Sequence, residues 1–574
     1  MHVLGINYSN DAAASLVTDG AVIAACQEER FRRQKHYSGF PTRAVDYCLQ
    51  AGDISFDDLD AVAFFWNPGI HAEAFAKQSN APRHHLEYLF NVPNHLLTGW
   101  LDGVGVTGLR QELSLSTGKS LRIEYVTHHL AHAASAFYRS NYAESAFLTI
   151  DGYGEKSAAT FGRGQGTTLE TLHTVDFPHS VGSLYAAFTQ YLGFRANNGE
   201  GKVMGLASYG KPSDHLEQLR SWVSLTDDGF ELDLTYFDYY LARRRRFSPK
   251  LVHAMGPERR PDDELTERHY DIAYAVQRVS EEIVLHLARL TKERTGLNRL
   301  CMAGGVVLNC VANTRVQQEA GFDHCFFQPS SSDAGTSMGA ALVVAHAMGA
   351  PRVTHPLTEY LGPSYDNDAV ESALKKGNVA YRKVADVEER AAEALDAGQI
   401  IGWFQGRAEF GPRALGNRSI LADPRGAETK DVLNARVKFR EPFRPFAPSV
   451  LAERSEEYFD GAGVESPFMI LVYPTRDAHR ETLAAVTHVD GGARVQTVTK
   501  EQNPRYHRLI KAFGQRSGVP CVLNTSFNIR GEPIVQTPAD ALKCFFTTDM
   551  DLLFLGDFVV WKDPTKARVA GVSA

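Results

Sequence analysis

No segment of this 574-residue chain approaches the roughly 18 consecutive apolar residues of a membrane span, so no membrane partner is expected. Cysteine is scarce. The seven thiols (Cys26, Cys48, Cys301, Cys310, Cys325, Cys521 and Cys544) contain no CxxC pair, are odd in number, and sit mostly in apolar strand-like surroundings. They read as reduced core residues, with neither a disulfide framework nor cysteine metal pairs. Basic residues do not dominate either: 60 Lys and Arg against 68 Asp and Glu leave a net charge of -8, which argues against nucleic acid as a partner. The one basic run, Arg243 to Arg246, reads as the solvated face of a surface insertion. Low-complexity sequence is absent. Met1 to Ile6 lacks the basic start and long apolar stretch of a signal peptide, so a cytoplasmic location is expected.

What remains is an ordinary folded composition, 44% hydrophobic and 22% charged, in a chain too long for one core. Val3 to Tyr8, Ala13 to Val17 and Val22 to Gln27, punctuated by Asn10-Asp11 and Asp19-Gly20, predict a three-strand meander. A second strand-turn-strand follows at Ser145 to Ile150, Asp151 to Gly154 and Ser157 to Phe161, which suggests a weak internal duplication. Asp271 to Lys292 has the periodicity of an amphipathic helix. From Leu300 to Val344 a strand twice ends in a glycine turn that opens a helix, first from about Val306 and again after Gly335. Such turns aim backbone N–H groups at the end of a sheet, where phosphates bind well. Pro351, Pro356 and Pro363 place a linker near residue 355, giving an α/β protein with domains 1–355 and 356–574.

His128 and His132 are spaced i, i+4 on one helical face behind Thr127, a candidate N-cap, so two imidazoles can grip one ion. Asp151 and Asp333 each sit in a glycine turn at a strand end, and their convergence on that helix would make a two-nitrogen, two-oxygen site suited to Fe(II), Mn(II) or Zn(II). A satisfied pair of core histidines is the alternative. Gly304 and Gly305, followed by Asn309 and Asn313, fit either a nucleotide site or a tight strand-to-helix turn. Lys202, in Gly199-Glu200-Gly201-Lys202, is either a phosphate contact or a solvated lysine. The second domain interleaves cations with glycine and proline in Gly406 to Ser419, which holds Arg413 and Arg418, and in Lys438 to Pro448. Guanidinium groups held on rigid loops match phosphate and carbamoyl oxygens. Asn524 to Asn528 adds hydroxyls and amides at a strand end.

Taken together, His128-His129-Leu130-Ala131-His132, Asp151-Gly152-x-Gly154-Glu155, Lys202 to Ala207, Gly304-Gly305-Val306, Gly411 to Ser419 and Asn524 to Asn528 resemble the O-carbamoyltransferase family of nodulation-factor, cephamycin and aminoglycoside biosynthesis. The resemblance runs nearly end to end. It implies a duplicated N-terminal domain similar to actin and sugar kinases and a C-terminal α+β domain similar to threonylcarbamoyl-adenylate synthase. It further implies that the second domain makes carbamoyl-adenylate from carbamoyl phosphate and ATP, with Mg(II) as an option beside the nucleotide. The first domain would then pass the carbamoyl group to a hydroxyl of a small molecule, a natural product or sugar, releasing AMP.

Carried over by motif, the metal ligands are His128, His132, Asp151 and Asp333, with Fe(II) the expected ion. Arg413, Lys438, Met469, Arg494 and Ser526 belong to the adenylation site, and Gly304, Gly305, Asn309, Asn313, Arg418 and Asn528 are further nucleotide candidates. Lys202, Asn10 and Asp11 complete the catalytic candidates. The family usually carries His-Asp where this chain has Asn10-Asp11; asparagine takes no proton at neutral pH, which leaves Asp11 to serve as the base. Acceptor-pocket residues are expected from Trp66 to Thr98 and around Leu232 to His253. The oligomeric state is left open, a homodimer included. Competing readings are a small-molecule kinase and a degenerate nucleotide-binding protein.

Overall fold

The computed structural model describes residues 1–67, 110–115, 118–241, 244–463, 466–569 and 571. Residues 68–98 of the expected acceptor stretch, and Arg243 of the basic run, lie outside the described residues. The chain divides into two compact units, Met1–Ala25 with Ser38–His355, and Cys26–Tyr37 with Pro356–Ala574. Among the described residues no helix is long and apolar enough to cross a membrane.

In the first unit, β1 (His2–Asn7), β2 (Ala13–Thr18), β3 (Ala21–Gln27), β4 (Ala61–Phe64), β5 (Arg110–Ser114) and β6 (Ser120–Tyr125) form a sheet in the order β3-β2-β1-β4-β6-β5. β1 runs antiparallel to β2 and parallel to β4, which is parallel to β6. A second sheet starts with β7 (Glu144–Gly154), β8 (Ser157–Gln165) and β9 (Thr168–Asp176), an antiparallel meander. After a small hairpin of β10 (Val223–Thr226) and β11 (Gly229–Leu232) come β12 (Arg299–Ala303) and β13 (His324–Phe327). Their order is β13-β12-β7-β8-β9, with β12 parallel to both β7 and β13. Leaving out the edge strand β5, both sheets are a meander whose first strand is extended by two parallel strands. The duplication is therefore explicit in the topology, and it is that of the actin and sugar-kinase-like fold.

The helix Asp333–Ala347 packs against β1 and against the helix His128–Phe137. Its sequence, rich in Ala, Gly and Ser, is buried nearly all round, so small side chains set how closely the layers approach. A Cβ on Gly5 would lie 1.8 Å from the Ser337 carbonyl oxygen, and one on Gly339 would lie 1.7 Å from that of Ala131. Backbone meets backbone at both points. The expected amphipathic helix spans Glu267–Thr295 and stops at Gly296 in the left-handed conformation (φ +67°). The helix expected from about Val306 begins later: Gly305–Leu308 is a single 3₁₀ turn, and Cys310–Glu319 follows because the Asn309 side chain caps it through Ala312 N–H.

The second unit is built on β14 (Tyr381–Lys383), β15 (Ile401–Phe404), β16 (Arg418–Ala422), β17 (Ala447–Leu451), a short pair β18 (Tyr473–Pro474) and β19 (Gly492–Ala493), β20 (Gln496–Val498), β21 (Cys521–Ser526), β22 (Leu552–Leu555) and β23 (Phe558–Trp561). Eight of these form one mixed sheet, β14-β23-β22-β15-β16-β21-β17-β20. The helices Val387–Asp396 and Pro504–Ser517 cover it, burying Trp403, Tyr506, Phe513 and Phe554 in an α+β core. All seven thiols are free and six are fully buried; burial pushes Cys26 up to about 12 and Cys301 up to about 11, so they stay protonated.

Gly339→Val places a branched side chain where only backbone fits, and it is expected to destabilise the protein by about 3 kcal/mol. Urea denaturation checks this; an unchanged midpoint would contradict the packing described above.

Candidate functional site

Three elements of the first unit deliver the metal candidates: the helix His128–Phe137 carries both histidines, β7 carries Asp151, and Asp333 opens the helix Asp333–Ala347. Ligand atoms of all four lie within 4.8 Å of one another. His128 Nε2 and His132 Nε2 are 3.1 Å apart and stand 2.9 and 3.1 Å from Asp151 Oδ2. Asp333 Oδ1 is 3.8 Å from His128 Nε2. An ion bound at about 2.1 Å by ligands at right angles would separate neighbouring donors by about 3 Å, so the spacing and the mixed donor set both fit a divalent transition metal.

The surroundings fix each ligand separately. Asp151 Oδ1 accepts from Gly152 N–H (2.7 Å) and Gly305 N–H (3.2 Å), leaving Oδ2 to the imidazoles. Gly305 and the left-handed Gly304 (φ +99°) permit that approach; a Cβ on Gly304 would lie 2.2 Å from the Ile150 carbonyl oxygen. Ser9 Oγ donates to Asp333 Oδ2 at 2.9 Å. Each imidazole ring is anchored by hydrogen bonding through Nε2 to Asp151, and by packing at its other nitrogen. His128 and His132 keep Nδ1 buried with no hydrogen-bond partner, and the His128 ring lies edge-on to Phe65, Trp66 and His132. Gly154 leaves the room, since a Cβ there would come within 2.7 Å of His128.

Thr127 occupies the N-cap position, but its side chain makes no cap bond. The buried Glu155 does this work from the following hairpin: its carboxylate accepts from His128 N–H (3.0 and 3.2 Å) and from Asn67 N–H (2.8 Å). Sequence reasoning quoted Glu155 within the Asp151 turn without giving it a role, and Ser9 carried no signal at all.

The charges interact strongly. For His128, burial opposes protonation, but the Asp151 hydrogen bond and the Asp333 charge outweigh it and push it up to about 9. Asp151 is held well below the usual carboxylate range, because the hydrogen bonds from His128 and His132 overcome its burial. Asp333, with a quarter of its side chain exposed, is nonetheless pushed up to about 7 by desolvation in the surrounding protein and by the charges of Asp151 and Asp11. Asp11 therefore belongs to this neighbourhood, in the β1–β2 turn with φ +59°. Asn10 beside it is exposed. His129, by contrast, is a neutral structural histidine, lowered to about 3 by burial and placed 2.8 Å from Thr149 Oγ1 and 3.1 Å from the Ser157 carbonyl.

Other candidates of this unit hold structure. Asn309 exchanges both amide hydrogen bonds with Gln277 (3.0 Å each) besides capping its helix, and Asn313 Nδ2 donates to the Val307 carbonyl at 2.7 Å. These bonds shape the glycine turn, where the sequence suggested a sugar or base contact. Lys202, half-buried on the helix Glu200–Ala207, has its ammonium 5.3 Å from the centre of the Phe194 ring.

In the second unit, the loop Gly406–Asn417 is organised around one buried anion. Glu409 Oε1 accepts from Leu415, Asn417 and Arg418 N–H at 2.8, 2.8 and 3.1 Å. Arg418 is wholly buried, donates to the carbonyls of Pro363, Gln405, Gly406 and Asn417, and lies 3.6 Å from the centre of the Phe404 ring. It braces the loop from beneath, unlike the half-buried Arg413 on the same loop. Lys438 ends a π-helical turn, Leu433–Lys438, and its ammonium donates to the Ser526 carbonyl (2.7 Å), the Asn528 carbonyl (2.8 Å) and Asn528 Oδ1 (2.7 Å). Lys438 is thus joined to Ser526 and Asn528 directly.

Burial, and then the charge of Arg440, hold Lys438 well below the ordinary lysine range. Arg440 is lowered by burial and by Arg444 and Arg494, and Arg444 by burial and Arg494, with Glu441 opposing in both. Arg440 and Arg444 were visible in the Lys438–Pro448 run but were not singled out. Like-charged groups crowded beside one another make a candidate anion site. Met469, fully buried, holds a left-handed backbone (φ +56°), a sparsely populated state for a non-glycine residue that is common at ligand sites.

Glu155→Gln is expected to weaken divalent-metal binding by about 10- to 100-fold, since ligand-orienting partners have effects of that size. Competition against a chromophoric chelator measures it; wild-type affinity in a folded variant would show that the cap does not orient the histidines.

Residues 2–342 match the model of the carbamoyltransferase N-terminus and residues 392–562 that of the carbamoyltransferase C-terminus. Nodulation protein NolNO of Sinorhizobium fredii is 42% identical over 562 residues, covering 97% of this chain and 79% of that protein. Nodulation protein NolO of Bradyrhizobium diazoefficiens is 42% identical over 452 residues, covering 77% of this chain and 80% of that protein. The 3'-hydroxymethylcephem-O-carbamoyltransferase of Streptomyces clavuligerus is 31% identical over 361 residues, covering 63% of this chain and 64% of that enzyme. With both family domains present in order and relatives aligned over nearly its whole length, this chain is an enzyme of the carbamoyltransferase family.

Proposed function

We propose that the enzyme is an ATP-dependent O-carbamoyltransferase that forms carbamoyl-adenylate in its second unit and transfers the carbamoyl group in its first to a hydroxyl of a small molecule, a natural product or sugar. The observation that carries this reading is a pair of electrostatically opposite centres: a histidine–carboxylate cluster made for a cation, and a half-buried set of arginines with the buried Lys438, made for an anion. A kinase reading leaves the second centre without a task.

In the second unit, water releases carbamate and inorganic phosphate from carbamoyl phosphate. A carbamate oxygen then attacks the α-phosphorus of ATP, the bond to the β-phosphate bridge breaks, and pyrophosphate leaves. Arg413 and Arg494 take the phosphate oxygens, while Arg440 and Arg444 supply positive potential that opposes the charge repulsion between the two anions. Lys438 positions the Ser526–Asn528 strand end that faces the nucleotide.

In the first unit, the acceptor hydroxyl attacks the carbamoyl carbon and AMP departs. Asp11 takes the hydroxyl proton, and Asn10 orients the alcohol without itself accepting a proton. His128, His132, Asp151 and Asp333 would hold Fe(II), Mn(II) or Zn(II), and such an ion would supply Lewis-acid polarisation of the carbamoyl oxygen. Because both centres belong to one chain, the tether raises the effective concentration of a labile adenylate at the second step.

With labelled ATP, carbamoyl phosphate and Fe(II), pyrophosphate release and carbamoyl-adenylate are the expected products; ADP with a phosphorylated acceptor would refute the proposal. Asp11→Asn is expected to lower transfer about 100-fold or more while pyrophosphate exchange persists. Asn10→His should retain activity, as read by the same product analysis.

A further inference from the structure

A short stretch from near the start of the chain, Cys26–Tyr37, is counted with the second unit. It contains one helix, Glu28–Arg32, closed by Arg33 in the left-handed conformation (φ +57°). Its cations reach two loops already described. Arg30 donates from Nη2 to the carbonyl of Gly411, which begins the Gly411-Pro412-Arg413 turn. Arg33 donates from Nη1 to the Ile534 carbonyl (2.7 Å) and from Nη2 to the Pro533 carbonyl (2.8 Å), with Glu532 Oε2 at 3.4 Å and Asp540 Oδ1 at 3.6 Å.

The second of these loops is closed on itself. Val535 N–H donates to the Phe527 carbonyl (2.9 Å), and Asn528 Nδ2 donates to the Glu532 carbonyl (2.6 Å). Asn528 in turn receives the Lys438 ammonium. One helical turn thus ties the Arg413 loop to the Ser526–Asn528 strand end.

Stability alone does not account for Arg30. It is 1% exposed, and its Nε and Nη1 are buried with no hydrogen-bond partner. A buried, under-satisfied guanidinium is destabilising relative to an apolar side chain of the same size, and such groups in native proteins call for another explanation.

We propose that Cys26–Tyr37 is a working part of the adenylate-forming site: Arg30 and Arg33 are positioning residues that hold the Arg413 loop and the Ser526–Asn528 strand end in register. This rests on the functional reading above. The chemistry it serves is binding of a nucleoside triphosphate, so its signature is affinity more than turnover.

The test is carbamoyl-phosphate-dependent exchange of labelled pyrophosphate into ATP by the full-length, metal-loaded enzyme. Arg33→Ala is expected to raise KM for ATP about tenfold with kcat within twofold, and Arg33→Lys to recover part of the loss because an ammonium still reaches one or two of the carbonyls. Divalent-metal affinity should be unchanged in both. Wild-type KM for ATP in folded Arg33→Ala overturns the inference. A wild-type enzyme without carbamoyl-phosphate-dependent exchange overturns the functional reading itself.

Discussion

Two backbones in contact govern the first unit. Where Gly339 faces the Ala131 carbonyl, the helix Asp333–Ala347 and the helix His128–Phe137 approach more closely than any side chain would allow. Gly5 against Ser337 seats the same helix on β1 from its other side. The consequence is chemical: Asp333 starts one helix and both histidines lie on one face of the other, so that packing contact sets the spacing of their donors, while Asp151 arrives along β7 and is held by the Gly152 and Gly305 N–H groups. The Nδ1 atoms without partners carry the same lesson, because beyond the Nε2 contacts to Asp151 the ring orientation depends on van der Waals contact.

The second unit solves a different problem, that of keeping like charges together. Glu409 neutralises nothing at the anion site; it gathers three backbone N–H groups and thereby curls the loop that carries Arg413. Lys438 is held by carbonyl oxygens and an amide, and Arg418 by carbonyl oxygens through its two terminal nitrogens, dipoles that stabilise a buried cation. For Arg440 and Arg444, Glu441 opposes the repulsion from neighbouring cations, Arg494 among them. A site so arranged favours whichever ligand brings several negative charges.

The sequence displayed the elements that local pattern encodes. The meanders, the strand-glycine-helix turns and the histidine spacing were legible because each depends on residues a few positions apart. Features decided by distant residues were not. Thr127 has the composition of an N-cap, yet the cap bond comes from Glu155, across a hairpin. Asn309 and Asn313 have donors suited to a ligand, but Gln277 and the Val307 carbonyl are nearer. Arg418 sits in a motif full of cations, and only the strand pairing of β15 with β16 reveals that it points onto Phe404. Nothing local to residues 26–37 indicates that their partners lie beyond residue 400.

That last feature bears on how the molecule is made. A ribosome delivers Cys26–Tyr37 several hundred residues before β16, β21 or the loop after Asn528 exists, so this stretch waits beside an already folding first unit while its own partners are synthesised. Closing so long a loop is entropically demanding and slow to find, which places completion of the second unit among the last events of folding. A polypeptide cut at the boundary between its two large blocks would hand the second block an unfilled slot, whereas a break on the far side of that early helix would part it from the strands it was built for.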